Sequence, residues 1–468
     1  MKKIFYVLIP VLFALVASSC DRDYDDNYMG NADERLTAAM NKYQRALASA
    51  QNGWIANVWT NDGIYRFYMS FTTDNRVTMV SDNMNYNGFD NKAQTTSYRF
   101  KALQRPTLIF DTYSYLSVIC DPDNSVSWGS DNQGLETDFE FEVAAFEHGQ
   151  FELVGRTHRT RATLVPATEE EEDTALNPAT GMIGQFATLQ QYFAQGFPYI
   201  GTDFGQTELN IGYRYMYAAY LVDGEPVQTE TVYTIVDFNQ DILLEEPLAI
   251  GDIEISRLTW EPAQKAYIAE LTDGGELPVK LAPDHIIPLY RYLGAEEGKI
   301  YNVLFVNMAM VSGEYAFYES SNPLTSAIIA YDRDLGRIRS SLRQLAWIFR
   351  TDKDDPTHKY VEMQVMFTQT RDDGDATFAI YYNYDITEIA PGEIKLSKLI
   401  FPYDEYENNS YLYENGIGKA FLDALANKTF KMEWGEQVTF GRNILTPGVM
   451  QCVENPKLRF VAPMDNVR

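Results

Sequence analysis

Two short runs set the fold class of this chain: Tyr65-Arg66-Phe67-Tyr68-Met69-Ser70-Phe71 and, after a turn at Thr73-Asp74-Asn75, Arg76-Val77-Thr78-Met79-Val80. Both runs alternate in character with a period of two. Successive side chains of a strand point to opposite faces, so this alternation is typical of strands and not of helices. The polar residues between the runs are turn formers. Together they predict a β-hairpin.

The same period of two returns along most of the chain. Strand candidates before residue 170 are Ser97–Ala102, Thr107–Phe110, Thr137–Ala145, Phe151–Gly155 and Arg161–Val165. Later candidates include Leu209–Val222, Thr231–Phe238, Ile253–Leu258, Lys265–Leu271, Tyr360–Thr368 and Thr377–Tyr384. The 32 tyrosines and 26 phenylalanines also favour β-structure. We therefore predict a mainly β protein with a few helices, an α+β fold.

Two amphipathic helices are predicted, each ahead of a block of strands. Residues 31–51 carry an apolar stripe at helical spacing, formed by Leu36, Met40, Tyr43, Leu47 and Ala50. The second helix runs from about Met182 to Gln195. Each helix is expected to cover or plug a sheet, because exposed sheet edges must be protected.

The two helix-led blocks share an order of features that predicts a duplicated β-domain. The matches are Tyr65-Arg66-Phe67 with Tyr213-Arg214-Tyr215, Tyr98-x-Phe100-x-x-Leu103 with Tyr233-x-Ile235-x-x-Phe238, and Leu164-x-Pro166 with Leu281 and Pro283. Alternating strands also match by chance, so both explanations stay open. A duplication predicts two related antiparallel meander domains, barrel-like or sandwich-like. The predicted division is 32–168, a linker at 169–181, and 182–468, with 182–290 and 291–468 as a further split.

The N-terminus is predicted to be a secretory signal peptide, residues 1–19, followed by a lipidation site. The positive start Met1-Lys2-Lys3 precedes the apolar run Ile4–Val16, which is short for a membrane span. Small residues directly before Cys20 resemble the bacterial lipobox, although Ala17 stands where lipoboxes prefer leucine. We expect acylation of Cys20 with palmitate-type chains, which would anchor the mature protein to a membrane. The alternative is an ordinary cleaved signal.

The charge of the chain limits the kinds of partner that the protein can bind. The chain carries 66 acidic and 38 basic residues, a formal charge of −28 at pH 7. Such a surface repels phosphate backbones, so we expect no nucleic-acid partner. It suits an extracellular protein that stays soluble, and it could hold divalent cations.

No recognisable catalytic motif is present in the sequence. The four histidines are not spaced for a metal, and neither a phosphate loop nor a nucleophile elbow occurs. Acidic residues are too abundant for a glycosidase pair to be chosen. Cys120 and Cys452 form either one disulfide or two buried thiols. We expect no catalytic residue and no cofactor other than Ca²⁺.

Two acidic loops are candidate calcium sites. The first contains Asp352, Asp354 and Asp355, and the second contains Asp372, Asp373 and Asp375. Hard oxygen ligands on short loops suit Ca²⁺. Hairpin turns also favour aspartate at such positions, which is the alternative explanation.

One aromatic loop is the candidate ligand-binding surface. It spans residues 402–415 and holds Tyr403, Tyr406, Tyr411 and Tyr413 among acids and asparagines. Aromatic side chains in a polar loop indicate a contact surface for a ligand. The alternative is that the tyrosines pack in the wall of a barrel.

Several stretches resemble one known family. They are Ala32–Leu36, Gln51–Trp54, Asn75–Met79 and Ala102–Ser114. With the lipobox and the acidic tether that follows it (residues 20–31), they resemble the Bacteroidota lipoproteins grouped as domain of unknown function 4302, most strongly over residues 32–168. The resemblance implies no reaction and no catalytic residue. It implies a surface lipoprotein encoded near outer-membrane uptake systems of the starch-utilisation type.

These features lead to an expected function. We expect an outer-membrane lipoprotein that faces the cell exterior and binds a glycan or peptide beside a starch-utilisation-type transporter complex. The acidic stretch after Cys20 resembles the tag that directs Bacteroidota lipoproteins to that outer face. The alternatives are a secreted hydrolase with paired carboxylates and a structural or adhesive surface protein. A cleft lined by exposed aromatic side chains favours the binding protein. A cleft with converging acids favours the hydrolase, and the absence of a cleft favours the structural or adhesive protein.

Overall fold

A computed structural model of the protein describes residues 32–83, 92–130, 132–296, 299–312, 321–401, 407–440 and 443–465. The chain forms two compact units: unit 1 ends at Met182, and unit 2 begins at Ile183 and also takes two short earlier segments. Both are built mainly of antiparallel strands, which confirms the predicted fold class. Within the described ranges, no helix is long and apolar enough to cross a membrane. The predicted signal peptide, Cys20 and the predicted tether lie outside these ranges.

Unit 1 is a closed barrel of eight antiparallel strands, in which each strand pairs with the next and β1 pairs with β8. The strands are β1 (Trp54–Thr60), β2 (Gly63–Phe71), β3 (Arg76–Ser81), β4 (Gln94–Ala102), β5 (Pro106–Phe110), β6 (Glu140–Glu147), β7 (Gln150–Gly155) and β8 (Arg161–Pro166). The predicted hairpin is confirmed as β2 and β3, with Phe71 opposite Val77. Closure satisfies the strand edges that an open sheet would leave unpaired.

Helix α1 (Ala32–Ser49) leads this barrel, as predicted. Leu47 on its apolar stripe is buried, and the indole Nε1 of Trp54 donates a hydrogen bond of 2.9 Å to the Leu47 carbonyl oxygen. The Tyr43 ring packs edge-on against Phe151 of β7. Gly53 lies between α1 and β1 with a φ of 71°, which favours glycine. A Cβ at this residue would also lie 2.8 Å from the Met69 carbonyl oxygen, so glycine is required.

Strand β2 is buried on both faces, which alternation alone does not predict. Its residues from Gly63 to Met69 are all buried. Part of the cover comes from helix α4 (Glu169–Ala175), because the Tyr68 hydroxyl donates a 2.8 Å hydrogen bond to Oε1 of Glu172. The segment 169–181, predicted as a linker, therefore begins with a packed helix. Unit 1 also contains the short helices α2 (Tyr115–Ile119) and α3 (Asn124–Ser127).

The first sheet of unit 2 is a nearly closed meander led by a helix. Its strands are β9 (Phe197–Thr202), β10 (Gly205–Ile211), β11 (Tyr215–Val222), β12 (Glu225–Gln228), β13 (Val232–Val236), β14 (Ile242–Ile250), β15 (Ile253–Glu261), β16 (Ala266–Leu271), β17 (Glu276–Pro278) and β18 (Lys280–Ala282). Strand β18 returns to pair with β9. The predicted strand Leu209–Val222 is divided between β10 and β11, because the chain turns at residues 212–214.

The helix ahead of that sheet is found near its predicted place. A 3₁₀ turn (Gly181–Gln185) precedes α5 (Phe186–Phe193). Phe186, Leu189 and Phe193 of α5 join the core formed by the strands. The first turn of the predicted helix is therefore tighter than an α-helix.

The second sheet of unit 2 repeats the nearly closed arrangement. Its strands are β19 (Val303–Asn307), β20 (Ser340–Thr351), β21 (Lys359–Gln369), β22 (Ala376–Ala390), β23 (Glu393–Leu396), β24 (Thr429–Trp434), β27 (Gly448–Cys452), β28 (Arg459–Ala462) and β29 (Met464–Asp465), with β25 (Val438–Phe440) and β26 (Asn443–Leu445) as a separate hairpin. Strand β29 returns to pair with β19.

Two helices supply much of this sheet's core. They are α8 (Pro323–Leu335) and α10 (Lys419–Leu425), which contribute buried residues such as Ile328, Tyr331 and Phe421. The remaining helices of unit 2 are α6 (Leu289–Tyr292), α7 (Met308–Ser312) and α9 (Glu407–Glu414). The core of this sheet is therefore formed by strands and helices together.

Candidate functional site

The first predicted calcium loop is closed by its own hydrogen bonds. Asp352 Oδ1 accepts the Asp354 backbone N–H at 2.9 Å, and Asp355 Oδ1 accepts the backbone N–H of Thr357 at 3.0 Å. The pKa of Asp352 lies below its ordinary value, chiefly because of the Asp354 N–H. The pKa of Asp355 is also lowered, chiefly because the Thr357 hydroxyl donates to it. These carboxylates thus stabilise the turn between β20 and β21.

The second predicted calcium loop is exposed. It lies in the turn between β21 and β22, where solvent surrounds Asp372, Asp373 and Asp375. Asp372 forms an ion pair with Arg339, with 3.3 Å between Oδ1 and Nη2. Among the side chains that the structure describes, no three of His, Cys, Asp or Glu converge as a metal-binding group. The structure therefore gathers neither set around a common point, and Ca²⁺ at these loops stays a prediction.

Of the four predicted tyrosines, two are described and two, Tyr403 and Tyr406, lie outside the described residues. Tyr411 and Tyr413 were predicted to lie on a loop, but they lie on helix α9. Leu412 between them is buried in the core, which explains why this polar segment packs as a helix.

The two described tyrosines differ in their availability. The Tyr413 hydroxyl donates a 2.6 Å hydrogen bond to Asp423, and the Lys419 ammonium lies 3.8 Å from the centre of the Tyr413 ring. Tyr413 is thereby tied to helix α10. Tyr411 is 60% exposed and remains accessible to a ligand.

Tyr411 lines a cavity of about 970 Å³ formed with strands β20–β22, which we name the tyrosine groove. Its lining includes Arg350, Glu362, Gln364, Phe378, Tyr381 and Tyr411. Tyr381 stands opposite Gln364 in the β21–β22 ladder. The groove is larger than three further cavities of unit 2, of about 780, 420 and 290 Å³.

Polar groups are placed beside the rings of the tyrosine groove. Arg350 pairs with Oε1 of Glu362 through Nη2 at 3.2 Å, and the Gln364 amide donates to the Tyr381 hydroxyl at 3.4 Å. The Arg371 guanidinium lies 4.6 Å from the centre of the Phe378 ring. The groove therefore combines aromatic surface with an amide, a carboxylate and guanidinium groups, the mixture found in ligand sites.

A second, smaller cavity of unit 2 contains a buried carboxylate–imidazole pair. Nδ1 of His285 lies 2.6 Å from Oε1 of Glu208, and Oε2 of Glu208 accepts the Ile286 backbone N–H at 3.0 Å. The two side chains are only 7% and 3% exposed. We name this space, of about 290 Å³, the histidine cavity.

The His285 ring packs against two aromatic rings. The Phe197 ring centre lies 3.9 Å from that of His285, and the Trp434 ring centre lies 4.1 Å away on a nearly parallel ring. Trp434 is fixed in turn, because its Nε1 donates to the Ile287 carbonyl oxygen at 2.8 Å. Nε2 of His285 is buried and has no hydrogen-bond partner among the described residues.

Tyrosines complete the lining of the histidine cavity. Tyr215, Tyr217 and Tyr301 border it. Burial raises the pKa of Tyr217 well above its ordinary value, and the neighbouring Tyr301 hydroxyl adds to that shift. Burial likewise raises the pKa of Tyr215. The hydroxyls of Tyr215 and Tyr217 therefore stay protonated and neutral.

The histidine cavity was not predicted from the sequence. Glu208 lies on β10, His285 follows β18, and the two are 77 residues apart. Trp434 comes from β24 of the other sheet. Only the fold brings them together, so no local spacing could have revealed the pair.

The two cysteines outside the signal region are free thiols. Burial raises the pKa of Cys120, and nearby Asp138 adds to the effect. Cys452 is buried and donates from its Sγ to Glu454 at 3.2 Å. Of the two predicted alternatives, the structure thus contains the thiols and not the disulfide.

Comparisons with known proteins give a family and little more. No curated protein matches the chain. Solved structures that align include the DNA polymerase III subunit beta from Pseudomonas aeruginosa, at 10% identity over 92% of this chain and 98% of that chain, with a TM-score of 0.12. The beta subunit from Streptococcus pyogenes aligns at 10% identity over 92% of this chain and 98% of that one, also with a TM-score of 0.12. Such TM-scores do not indicate a shared fold. One family model matches residues 25–262, about half of the chain, and on that match the chain belongs to the family described as Domain of unknown function (DUF4302).

Proposed function

We propose that this protein is a lipid-anchored accessory protein of the outer cell surface that binds a glycan in the tyrosine groove. The observation that carries the proposal is the exposed ring of Tyr411 beside Tyr381, Gln364 and the Arg350–Glu362 pair. A sugar ring has an apolar face that stacks on an aromatic ring, and its hydroxyls bond to amide, carboxylate and guanidinium groups. Few convergent polar groups on an aromatic lining are typical of a ligand site.

The same residues favour a glycan over a peptide. The one acid of the described lining, Glu362, is already paired with Arg350, and the guanidinium of Arg371 lies against the Phe378 ring, so the groove offers no free carboxylate to a basic peptide side chain. Extended peptides commonly add to a free sheet edge. The strands that form the groove, β20, β21 and β22, are each paired on both sides, so they present no free edge to a peptide.

Paired carboxylates, which the hydrolase alternative needs, have weaker support. Glycosidases place two carboxyl groups roughly 5–10 Å apart. Among the described lining residues of the groove, Glu362 is the one acid. Three acids line the cavity of about 780 Å³. Glu225 pairs with Arg291 and Glu296 pairs with Lys359, which leaves Glu388 and not a pair of carboxylates.

The location in this proposal comes from the sequence. Acylation of Cys20 would hold the protein in a membrane, and the acidic tether would place it on the outer face. A starch-utilisation-type transporter complex is the proposed partner, since a tethered binding protein raises the local concentration of ligand near a transporter. The formal charge of −28 keeps such a protein soluble.

Glycan binding is tested with the chain from residue 21 to residue 468. Affinity electrophoresis through gels that contain soluble polysaccharides, with isothermal titration of the hits, measures binding. Tyr411→Ala and Tyr381→Ala should each weaken binding roughly tenfold, about 1.4 kcal/mol, because each removes one stacking ring. Tyr113→Ala is the matched control, because Tyr113 is an exposed tyrosine (50%) in unit 1.

The control should bind as well as the unsubstituted chain. Equal losses from all three substitutions would show that the tyrosines affect stability and not binding. Hydrolysis of a polysaccharide, unaffected by Tyr411→Ala, would overturn the proposal in favour of the hydrolase alternative.

A further inference from the structure

The wall of the histidine cavity holds a buried nitrogen, Nε2 of His285, that has no hydrogen-bond partner in the part of the chain that the structure describes. His285 uses Nδ1 toward Glu208, and Nε2 has no partner among the described residues. Buried polar atoms in proteins are nearly always paired, so an unpaired one calls for a reason. Leaving such an atom desolvated and unpaired costs stability.

The neighbours of His285 fix which hydrogen bond Nε2 can make. Both oxygens of Glu208 accept, one from the Ile286 N–H and one from Nδ1 of His285. In the neutral imidazole this arrangement places the proton on Nδ1 and leaves a lone pair on Nε2. A matching ligand must therefore donate a hydrogen bond to Nε2.

The chemistry of the cavity excludes charged ligands. Among its described lining residues there is no lysine or arginine, so a bound anion would have no counter-charge. The single carboxylate, Glu208, already has a donor on each oxygen and is not free for a cation. The other polar side chains, which include Asn210, Gln437 and Thr446, are neutral.

The size and lining of the cavity narrow the ligand further. Its volume of about 290 Å³ lies at the small end of ligand pockets, which begin at roughly 300 Å³. Phe197, Trp434 and three tyrosines give aromatic surface beside hydroxyl groups. A ring with several hydroxyls fits both features.

We propose that the histidine cavity is a second binding site, for a neutral hydroxylated molecule the size of one sugar ring, with a ligand hydroxyl donating to Nε2 of His285. Glu208 acts as the positioning residue, because it holds the tautomer that presents the lone pair. Since Nε2 is buried, the ligand reaches it after a lining side chain moves. The inference rests on the contacts of His285 and not on the tyrosine groove.

Histidine ring NMR tests this site. The chain from residue 21 to residue 468, with ¹⁵N in its histidine rings, is titrated with glucose, galactose, mannose and N-acetylglucosamine, and separately with methylammonium and acetate. His285→Gln identifies the His285 signals. A sugar should move the Nε2 signal of His285 and leave those of His148, His158 and His358 in place.

Two variants separate this site from the groove. Tyr217→Phe removes one cavity hydroxyl but keeps the ring, and should weaken the response of His285 severalfold. Tyr381→Ala in the groove should leave that response unchanged. His285→Gln should leave binding of polysaccharide to the groove unchanged.

Three results would overturn the inference. The first is an Nε2 signal that no sugar moves at millimolar concentration. The second is a signal that moves with methylammonium or acetate but with no sugar. The third is a sugar response that Tyr381→Ala abolishes, because it would place the sugar in the groove and not beside His285.

Discussion

Nε2 of His358 lies 2.9 Å from Oδ1 of Asp385 and so connects the start of β21 to the facing part of β22. Nδ1 of the same ring lies 3.2 Å from Asp352. The hydrogen bond to Asp385, followed by that to Asp352, raises the pKa of His358 above its ordinary value. Because the folded pKa is raised, the stabilisation is fully present below the ordinary pKa of about 6.5. It is lost as the pH rises through the folded pKa.

His358→Gln should therefore lower the thermal midpoint more at mildly acidic pH than at alkaline pH. The measurement is the difference in midpoint between the parent and the variant, at about pH 5.5 and about pH 8.5. His158→Gln serves as the control, because that histidine is exposed and its described hydrogen bond runs through the backbone N–H. A difference that does not change with pH would contradict the assigned role of the two carboxylates.

Gly155 leaves the space that buried Asp138 occupies. Asp138 is 4% exposed and accepts the backbone N–H groups of Thr157 and His158 at 2.8 and 3.0 Å. A Cβ at residue 155 would lie 2.0 Å from Oδ2 of Asp138. Gly155→Ala should therefore lower the free energy of unfolding by about 1–3 kcal/mol, because the carboxylate must move and weaken those bonds. Urea denaturation measures the change.

Gly201→Ala is the matched control for Gly155→Ala. Gly201 also lies in a strand, and a Cβ there would meet nothing within 4 Å. We expect no comparable loss of stability. If both substitutions cost the same, the effect belongs to strand glycines in general and not to Asp138.

The positions of many strands could be predicted from the sequence because they depend on local periodicity. The hairpin of β2 and β3 follows from alternation and a turn. Two of the three proposed repeat matches also fall on corresponding strands. Tyr98 and Tyr233 each lie on the fourth strand of their meander, if β12 is not counted. Leu164 and Leu281 each lie on the strand that returns to pair with the first strand of the meander. The third match fails, because Tyr65 lies on β2 but Tyr213 precedes β11.

The sites could be predicted only where one segment carries them. Tyr411 was identified because aromatic residues cluster within one short polar segment, although that segment forms a helix. The pair of Glu208 and His285 is formed by distant segments, and its meaning depends on the burial of Nε2. Neither distance nor burial is encoded in local spacing. The burial of both faces of β2 was missed for the same reason.

The thiols of Cys120 and Cys452 should be unreactive in the folded chain. Thiolates are the reactive species, and burial raises the pKa of both cysteines. In a chain that lacks Cys20, a thiol reagent should react slowly before unfolding and with two thiols per chain after unfolding in urea. The assay is run without reductant. A chain that yields no thiol after unfolding would contradict the free thiols in the structure.

Cys20→Ser should prevent lipidation and release the protein from membranes. The hydroxyl of serine cannot form the thioether of an acylated cysteine, so labelled palmitate should no longer be incorporated. Fractionation of the parent and the variant measures the shift from the membrane fraction to the soluble fraction. If the variant has lost residues 1–19 and still stays in the membrane fraction to the same extent, a contact other than a lipid holds the protein there.

A second substitution separates anchoring from sorting. Replacing Asp21, Asp23, Asp25 and Asp26 by asparagine removes four negative charges from the tether and keeps Cys20. We expect this variant to incorporate palmitate as the parent does but to lose accessibility to protease added outside intact cells. Unchanged accessibility would mean that the tract acts as a solvated tether and carries no address. Loss of both palmitate and accessibility would instead mean that the substitutions disturb processing at Cys20.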